Sequence, residues 1–142
     1  MPVARKKRAL SKKGAKAGFG LVFAALRQML ERLDDPELTV QTDKPGNYHT
    51  EIPSIIHRGK PLYFAGVRQG KNYVSYYLMA ADYCGGMVKG MSTALKKRKQ
   101  GKACFNFTVA DQECFAELDR LTVAGLKKFR SPEFRRMIES RQ

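Results

Sequence analysis

The chain has 142 residues, of which 43% are hydrophobic, and this is enough for one domain with a real core. The same composition excludes a protein that is disordered throughout. Lysine and arginine outnumber aspartate and glutamate by 27 to 13, so the formal net charge is +14, and such an excess attracts polyanions without any sequence reading.

The N-terminal segment is basic and poor in apolar residues. Half of the net charge lies within residues 1–16, which contain no acidic side chain. We predict a disordered basic tail over residues 1–13 and a single domain over residues 14–142, because the tail lacks the apolar side chains that would offset its ordering entropy. The tail is either a solubilising segment or a polyanion-binding arm. Its candidate nucleic-acid-binding residues are Arg5, Lys6, Lys7, Arg8, Lys12 and Lys13.

An apolar series at helical spacing follows the tail and predicts a helix from about Ala15 to Leu33. The series consists of Phe19, Val22, Phe23, Leu26, Met29, Leu30 and Leu33. A basic start followed by apolar residues is also typical of an export signal. Here the helical spacing continues without a break through Arg27, so we predict a helix that docks on the core. The stretch is too short to span a bilayer.

The next residues have the composition of short strands. Leu38–Thr42 is rich in β-formers and precedes a turn at residues 44–47. Residues 48–56 alternate loosely and predict one strand, in which Pro53 requires an edge or a bulge.

A hairpin is predicted from Leu62–Gln69 and Asn72–Met79. Gly70 is expected to supply the positive φ of a tight turn. Regular alternation places side chains of the first strand on two faces. One face would carry Leu62, Phe64 and Gly66, and the other Tyr63, Ala65 and Val67.

The C-terminal half predicts mostly helices. Residues 80–90 are expected to be irregular, residues 89–99 a polar helix, and Cys104–Phe107 a last strand. Capping residues at 108–111 then open an amphipathic helix, and Pro132 starts a short closing helix. The element order lacks βαβ alternation and predicts an α+β fold, with an antiparallel sheet covered by N-terminal and C-terminal helices.

Three segments together resemble the YdhG-like family of small bacterial proteins, a domain of unknown function. They are residues 60–67 (KPLYFAGV), 71–79 (KNYVSYYLM) and 100–107 (QGKACFNF), and the resemblance extends over roughly residues 45–130. It implies a cytosolic α+β domain with a frataxin-like shape, and an iron-binding or iron-delivering role proposed for some members. A frataxin-like iron surface is an acidic ridge, whereas this chain is basic.

The three cysteines, Cys84, Cys104 and Cys114, are widely spaced and include no Cys-x-x-Cys pair. This argues against a disulfide framework or a cysteine zinc site and favours a cytoplasmic protein. We expect Cys104 and Cys114 to be small core residues. No fingerprint of a catalytic site, a dinucleotide site or a P-loop occurs, so we predict no cofactor and a non-enzymatic protein.

Tyrosines dominate the predicted hairpin and give the leading functional hypothesis. Tyr63, Tyr73 and Tyr77 are expected on one side of the sheet, with Arg68 at its margin. Aromatic faces beside a cation can hold a planar anionic ligand, although tyrosines packed under helices are the structural alternative. We therefore predict a domain that binds a small ligand or a protein partner on its sheet.

A second basic cluster supports an alternative in which the protein associates with nucleic acid. The cluster consists of Lys96, Lys97, Arg98 and Lys99, with Lys102 nearby. Together with the N-terminal tail it is expected to bind polyanions in a strongly salt-dependent way.

A third hypothesis is metal binding at His49 and Glu51, which alternate on one strand face. Imidazole and carboxylate are suitable ligands for a divalent ion such as iron. The pair has no characteristic metal-ligand spacing, so a surface or structural role is the alternative.

Overall fold

The computed structural model describes residues 12–141, with side chains from residue 18 onward. The described helices are α1 (Lys12–Glu31), α2 (Ala80–Tyr83), α3 (Gly85–Lys89), α4 (Thr93–Arg98), α5 (Gln112–Phe129) and α6 (Pro132–Glu139). The described strands are β1 (Thr39–Lys44), β2 (Asn47–His57), β3 (Lys60–Gln69), β4 (Val74–Leu78), β5 (Lys99–Gln100) and β6 (Cys104–Phe107).

The strands form one sheet in the order β1-β2-β3-β4-β6-β5, and every neighbouring pair is antiparallel. Helix α1 packs on β3 and β4, α4 packs on β6, and α6 packs on β2. The α+β prediction is therefore confirmed: helices from both ends of the chain cover an antiparallel sheet.

The core lies between the sheet and these helices. Six of the seven apolar positions predicted for α1 are buried, and Leu33 is partly buried against the same core. On the sheet side the core contains two cross-strand rows. The first row consists of Tyr48, Val67, Tyr76 and Phe105, and the second of Thr50, Ala65 and Leu78.

Two close contacts hold helix α5 in place, one with the sheet and one with α2. The hydroxyl groups of Tyr76 and Thr122 are 2.6 Å apart, and Thr122 also donates a hydrogen bond of 2.7 Å to the backbone carbonyl of Leu118. One turn later, Gly125 lies against α2, where an added Cβ would come within 2.6 Å of the Cβ of Ala80. The helix can approach this closely because position 125 has no side chain.

The polar helix predicted over residues 89–99 is shorter, Thr93–Arg98, and two segments predicted to be non-helical contain helix. Helix α1 begins at Lys12, so Lys12 and Lys13 belong to it, while the predicted tail residues 1–11 lie outside the described part of the chain. Residues 80–90 were expected to be irregular, but most of them form the short helices α2 and α3. The adjacent glycines Gly85 and Gly86 are thus helical despite their low propensity.

The turn prediction for the hairpin was also wrong. The glycines with positive φ among the described residues are Gly46, Gly59 and Gly101, and Gly70 is not one of them. Strand β4 begins at Val74, so residues 70–73 form a four-residue loop, which the amide of Gly70 closes by donating to the carbonyl of Tyr73 at 2.9 Å. A loop of this length does not require the left-handed residue of a two-residue turn.

A β-bulge in β3 overturns the predicted alternation. Thr50 pairs with Ala65 and Glu51 with Tyr63, so Phe64 is an extra residue on β3. Leu62 and the bulged residue Phe64 face the core, and Ala65 and Val67 face it after the bulge. Gly66 therefore lies on the same face as Tyr63, contrary to the prediction. A second irregularity, between Ile52 and Ile56 of β2, surrounds Pro53, which was predicted to lie at an edge or a bulge.

Candidate functional site

The face of the sheet that points away from the core is built from polar and aromatic side chains, and we call it the open face. One row crosses all six strands through Thr42, His49, Gly66, Tyr77, Cys104 and Gln100. The neighbouring row consists of Lys44, Asn47, Arg68, Ser75 and Asn106. On the other side of the first row, Glu51 pairs with Tyr63. The register alone brings these residues together.

Gly66 creates the central feature of the open face. A Cβ at this position would lie 2.1 Å from Nδ1 of His49 and 2.3 Å from the hydroxyl oxygen of Tyr63. Side chains from two strands therefore meet directly above the glycine, and the bulge at Phe64 is what turns Tyr63 toward it. A glycine inside a strand commonly marks such a close approach.

His49 joins Asn47 and Tyr63 in a hydrogen-bonded chain. Its Nε2–H donates to Oδ1 of Asn47 at 2.6 Å, and its Nδ1 accepts from the hydroxyl of Tyr63 at 2.7 Å. Burial lowers the pKa of His49, and the nearby guanidinium of Arg68 lowers it further. The neutral tautomer with the proton on Nε2 fits this arrangement, because the amide oxygen can only accept.

Tyr63 is kept as a neutral phenol. Burial raises its pKa, and nearby Tyr76, Tyr77 and Cys104 raise it further. Its proton points toward His49, so the remaining lone pair of the hydroxyl oxygen is available to an incoming donor. The ring of Tyr77 lies beside the same imidazole, with ring centroids 6.2 Å apart. Two phenols and an imidazole thus form an aromatic wall.

These groups line an open depression of about 420 Å³, which we call the aromatic depression. Its lining residues are Gln41, Asn47, His49, Tyr63, Arg68 and Tyr77. Three of the four predicted ligand-binding residues, Tyr63, Arg68 and Tyr77, therefore lie together. A volume of this size is within the usual range of small-molecule sites.

The fourth predicted residue, Tyr73, lies in the β3–β4 loop with 43% of its surface exposed. It contributes to an adjoining depression of about 280 Å³, which we call the loop depression. This depression is lined by Arg68, Gly70, Lys71, Asn72, Tyr73, Ser75 and Tyr77. Arg68 and Tyr77 belong to both depressions and form the boundary between them.

The amide of Asn106 is oriented by its neighbours on the open face. The hydroxyl of Ser75 donates to Oδ1 of Asn106 at 2.7 Å, and the thiol of Cys104 donates to the same oxygen at 3.3 Å. Cys104 was predicted to be a core residue, but it is half-buried on the open face. Cys114 is buried, as expected. Burial raises the pKa of the Cys104 thiol, and its hydrogen-bonding neighbour Ser75 lowers it by less.

Amide NH2 groups and a guanidinium are therefore available to a ligand on the open face. The carbonyl oxygens of Asn47 and Asn106 are occupied by internal donors, so their NH2 ends remain for other acceptors. The exposed guanidinium of Arg68 lies in the same row. Converging donors of this kind favour an anionic or carbonyl-bearing ligand.

The second basic cluster lies at the β5 edge of the sheet. Lys96 and Lys97 are exposed on α4, and Lys99 begins β5. Arg98 is instead engaged in the fold, because its guanidinium is 4.0 Å from Asp111 and lies over the ring of Phe107 at 5.9 Å. Of the tail candidates, Lys12 and Lys13 are in α1, while Arg5, Lys6, Lys7 and Arg8 are outside the described residues.

His49 and Glu51, the predicted metal ligands, both face the open side of β2. Each ring nitrogen of His49 already makes a hydrogen bond, so metal binding would have to displace one of them. Within residues 12–141, no group of three or more His, Cys, Asp or Glu side chains is placed to hold a metal ion. Metal binding at this pair stays a prediction.

A larger depression, of about 550 Å³, lies among the helices. Tyr83, Met87, Leu121 and Phe134 give it a mainly apolar lining, and Cys84 and Lys128 are also present. Burial raises the pKa of the Cys84 thiol and outweighs the opposing effect of Lys128, which keeps the sulfur protonated and weakly nucleophilic. The hydrogen-bonded polar groups that would orient a ligand converge on the open face.

Sequence reasoning missed Gln41, Asn47 and Gly66 as parts of the site. The alternation of polar residues at 47, 49 and 51 was a signal for Asn47, because strand residues two apart share a face. A glycine in the middle of a predicted strand was a signal for close packing above position 66. Gln41 reaches the depression from an irregularity in β1, between Val40 and Thr42, which no sequence pattern marks.

Comparison of the chain with protein-family models, with curated proteins and with solved structures gave no match. None of the helices in the described part of the chain combines the length and apolar content needed to cross a bilayer.

Proposed function

We propose that this protein is a non-enzymatic domain that binds a small planar anionic ligand on the open face of its sheet. The observation that carries this proposal is the aromatic depression, where Tyr63, Tyr77 and Arg68 converge with His49 and Asn47. The two phenol rings supply flat apolar walls, and the guanidinium supplies a charge and a forked donor for a carboxylate or phosphate.

The ordering of the site supports binding. The Tyr63–His49–Asn47 chain fixes three side chains in one arrangement before a ligand arrives. Preorganised groups lose less conformational freedom on binding, so more of the contact energy is retained as affinity. We also propose that the protein acts in the cytoplasm, since Cys84, Cys104 and Cys114 are all free thiols.

The test is a titration of the isotope-labelled chain with planar aromatic carboxylates, followed by NMR. Ligand-induced shifts are expected on the open face of β2, β3 and β4. Arg68→Gln should weaken binding by about tenfold or more, because it removes a charge-assisted hydrogen bond. Arg120→Gln, which makes the same charge change on the exposed side of α5, is the matched control. Shifts confined to the depression of about 550 Å³ among the helices, around Cys84, would contradict the proposal.

A second candidate function is association with nucleic acid through the N-terminal arm and the basic cluster on α4. The observation that favours it is the exposure of Lys96 and Lys97 at the β5 edge. Affinity for DNA or RNA fragments should then fall steeply with salt, because each neutralised phosphate releases a counterion. In the double variant Lys96→Gln/Lys97→Gln, the affinity for nucleic acid should fall less steeply with salt than in wild type. Salt-independent binding, or none, would remove this candidate.

A further inference from the structure

The aromatic and loop depressions adjoin each other, and their chemistry differs. The first offers flat aromatic walls and side-chain amides, from Tyr63, Tyr77, Asn47 and Gln41. The second offers the exposed ammonium of Lys71 beside the polar side chains of Asn72 and Ser75. Because the guanidinium of Arg68 borders both, one ligand with two chemically distinct parts could occupy the pair.

The charged side chains of the open face are unevenly distributed along the two depressions. Lys44 and Arg68 lie in the row nearest the β3–β4 loop, and Lys71 lies within that loop. The carboxylate of Glu51 is four residues further along β2 than Asn47, roughly 13 Å away at the usual strand rise. The anionic part of a ligand is therefore attracted to the loop end, and a neutral, hydrogen-bonding ring is left at the aromatic end.

From this arrangement we infer that the two depressions form a nucleotide site, with the base in the aromatic depression and the phosphate at Arg68 and Lys71. This inference rests on the proposed function and extends it. An aromatic carboxylate would fill only the aromatic depression and would leave Lys71 unused. A nucleotide uses both, since its base presents a planar face and a polar edge and its phosphate is separated from the base by the sugar.

The aromatic depression matches a base in three respects. The phenol rings provide surfaces for stacking, which is tolerant of base identity. The NH2 end of Asn47 is available to a carbonyl or ring nitrogen on the edge of a base, because its oxygen already accepts from His49. The hydroxyl oxygen of Tyr63 retains a lone pair for an exocyclic amine.

The same chemistry is found in a free nucleotide and in one nucleotide of a single strand. Both depressions are open to solvent, so either source can reach them. Length dependence distinguishes the two. If a pentanucleotide binds much more tightly than a mononucleotide at equal salt, and the binding depends on Tyr77, the ligand is one nucleotide of a single strand. If the two affinities are equal, the ligand is a free nucleotide.

The experiment measures binding of adenosine, AMP, inorganic phosphate and a single-stranded pentanucleotide to the full chain, by NMR at fixed salt. AMP is expected to bind about tenfold or more tightly than adenosine or phosphate alone, since each of these occupies only one part of the site. Tyr77→Leu should weaken AMP binding by about tenfold or more, whereas Tyr77→Phe keeps the ring and the affinity. Lys71→Gln should weaken AMP binding and leave adenosine binding unchanged, and Lys89→Gln on α3 is the control.

Two outcomes would overturn the inference. If planar carboxylates bind at Arg68 but adenosine and AMP do not, the nucleotide assignment fails while the proposed function stands. If the pentanucleotide binds with an affinity that Tyr77→Leu leaves unchanged, the basic arm or α4 carries the binding and the open face is not a nucleotide site. A thermal melt of each variant shows whether a loss of binding reflects a loss of folding.

Discussion

The imidazole of His49 and the hydroxyl of Tyr63 meet at 2.7 Å in space that only a glycine at position 66 leaves free. We predict that Gly66→Ala displaces both side chains and breaks this hydrogen bond, because the new methyl group would overlap with each of them. Overpacking of this kind destabilises proteins by about 1–3 kcal/mol. Denaturant unfolding measures the loss, and the hydroxyl and imidazole resonances report the broken bond.

The double variant Gly66→Ala/His49→Ala provides the control for this prediction. Removal of the imidazole relieves the shorter of the two overlaps, that of 2.1 Å, and frees the Tyr63 hydroxyl to move away from the methyl group, so the two substitutions should destabilise less together than the sum of their separate effects. Strictly additive effects would show that the contact above Gly66 is not what makes alanine unfavourable there.

The lowered pKa of His49 predicts a specific dependence of stability on pH. Between this pKa and the unfolded value of about 6.5, the unfolded chain binds a proton that the folded chain does not. The free energy of unfolding should therefore fall as the pH decreases through this window and should be unaffected by His49 above it. Comparison of wild type with His49→Gln cancels the carboxylates common to both. Parallel stability curves from pH 5 to 7 would contradict the prediction.

The buried hydroxyl pair of Tyr76 and Thr122 predicts an asymmetry between two substitutions. Thr122 donates to the carbonyl of Leu118, so Tyr76 must donate to Thr122. Thr122→Val leaves the buried phenol without an acceptor and should destabilise by about 1–3 kcal/mol. Tyr76→Phe leaves Thr122 still bonded to Leu118 and should destabilise by about 0.5–1.5 kcal/mol. Unfolding in urea gives both values, and the reverse order would show that the proton directions are different.

The approach of α5 to α2 at Gly125 predicts that a helix-favouring substitution is harmful there. Alanine improves helix propensity by about 1 kcal/mol, but its methyl group would lie 2.6 Å from Cβ of Ala80. We expect Gly125→Ala to lower the free energy of unfolding overall, since overpacking outweighs propensity. Gly20→Ala in α1 is the matched control, because its Cβ would meet nothing within 4 Å, and it should raise stability. If both substitutions stabilise, the two helices can separate without loss.

The sequence was sufficient to predict the elements with strong periodicity. The apolar spacing of Phe19 to Leu30 identified α1 and its buried face, and Pro132 identified the start of α6. The strand at residues 104–107 and the Asp111 cap of α5 followed from local composition. In each case one local pattern and the tertiary packing favour the same structure, which is why such elements can be predicted without coordinates.

The features that shape the site depend on how the strands pair with one another, and this pairing cannot be read from one segment of the sequence. The bulge at Phe64 is invisible in the sequence because Phe64 and Ala65 are both apolar and either could face the core. The chain through Asn47, His49 and Tyr63 requires the β2–β3 register, which the structure supplies. Tyr63 and Tyr77 were predicted to share a face. They do so because the bulge at Phe64 turns Tyr63 to the open face, and no sequence pattern predicted that bulge.

Tyr63 and Gly66 are three positions apart, a spacing that puts two residues on opposite sides of a regular strand. They share the open face because β3 contains one extra residue between them. The surface that recognises a ligand therefore depends on the number of residues in β3 as well as on their chemistry. A relative that keeps the tyrosine, the glycine and the arginine at the same spacing but lacks the bulge would turn its phenol into the core. A relative that has lost the extra residue would keep its tyrosine two positions before the glycine and on the open face, so residue spacing and strand pairing have to be compared together.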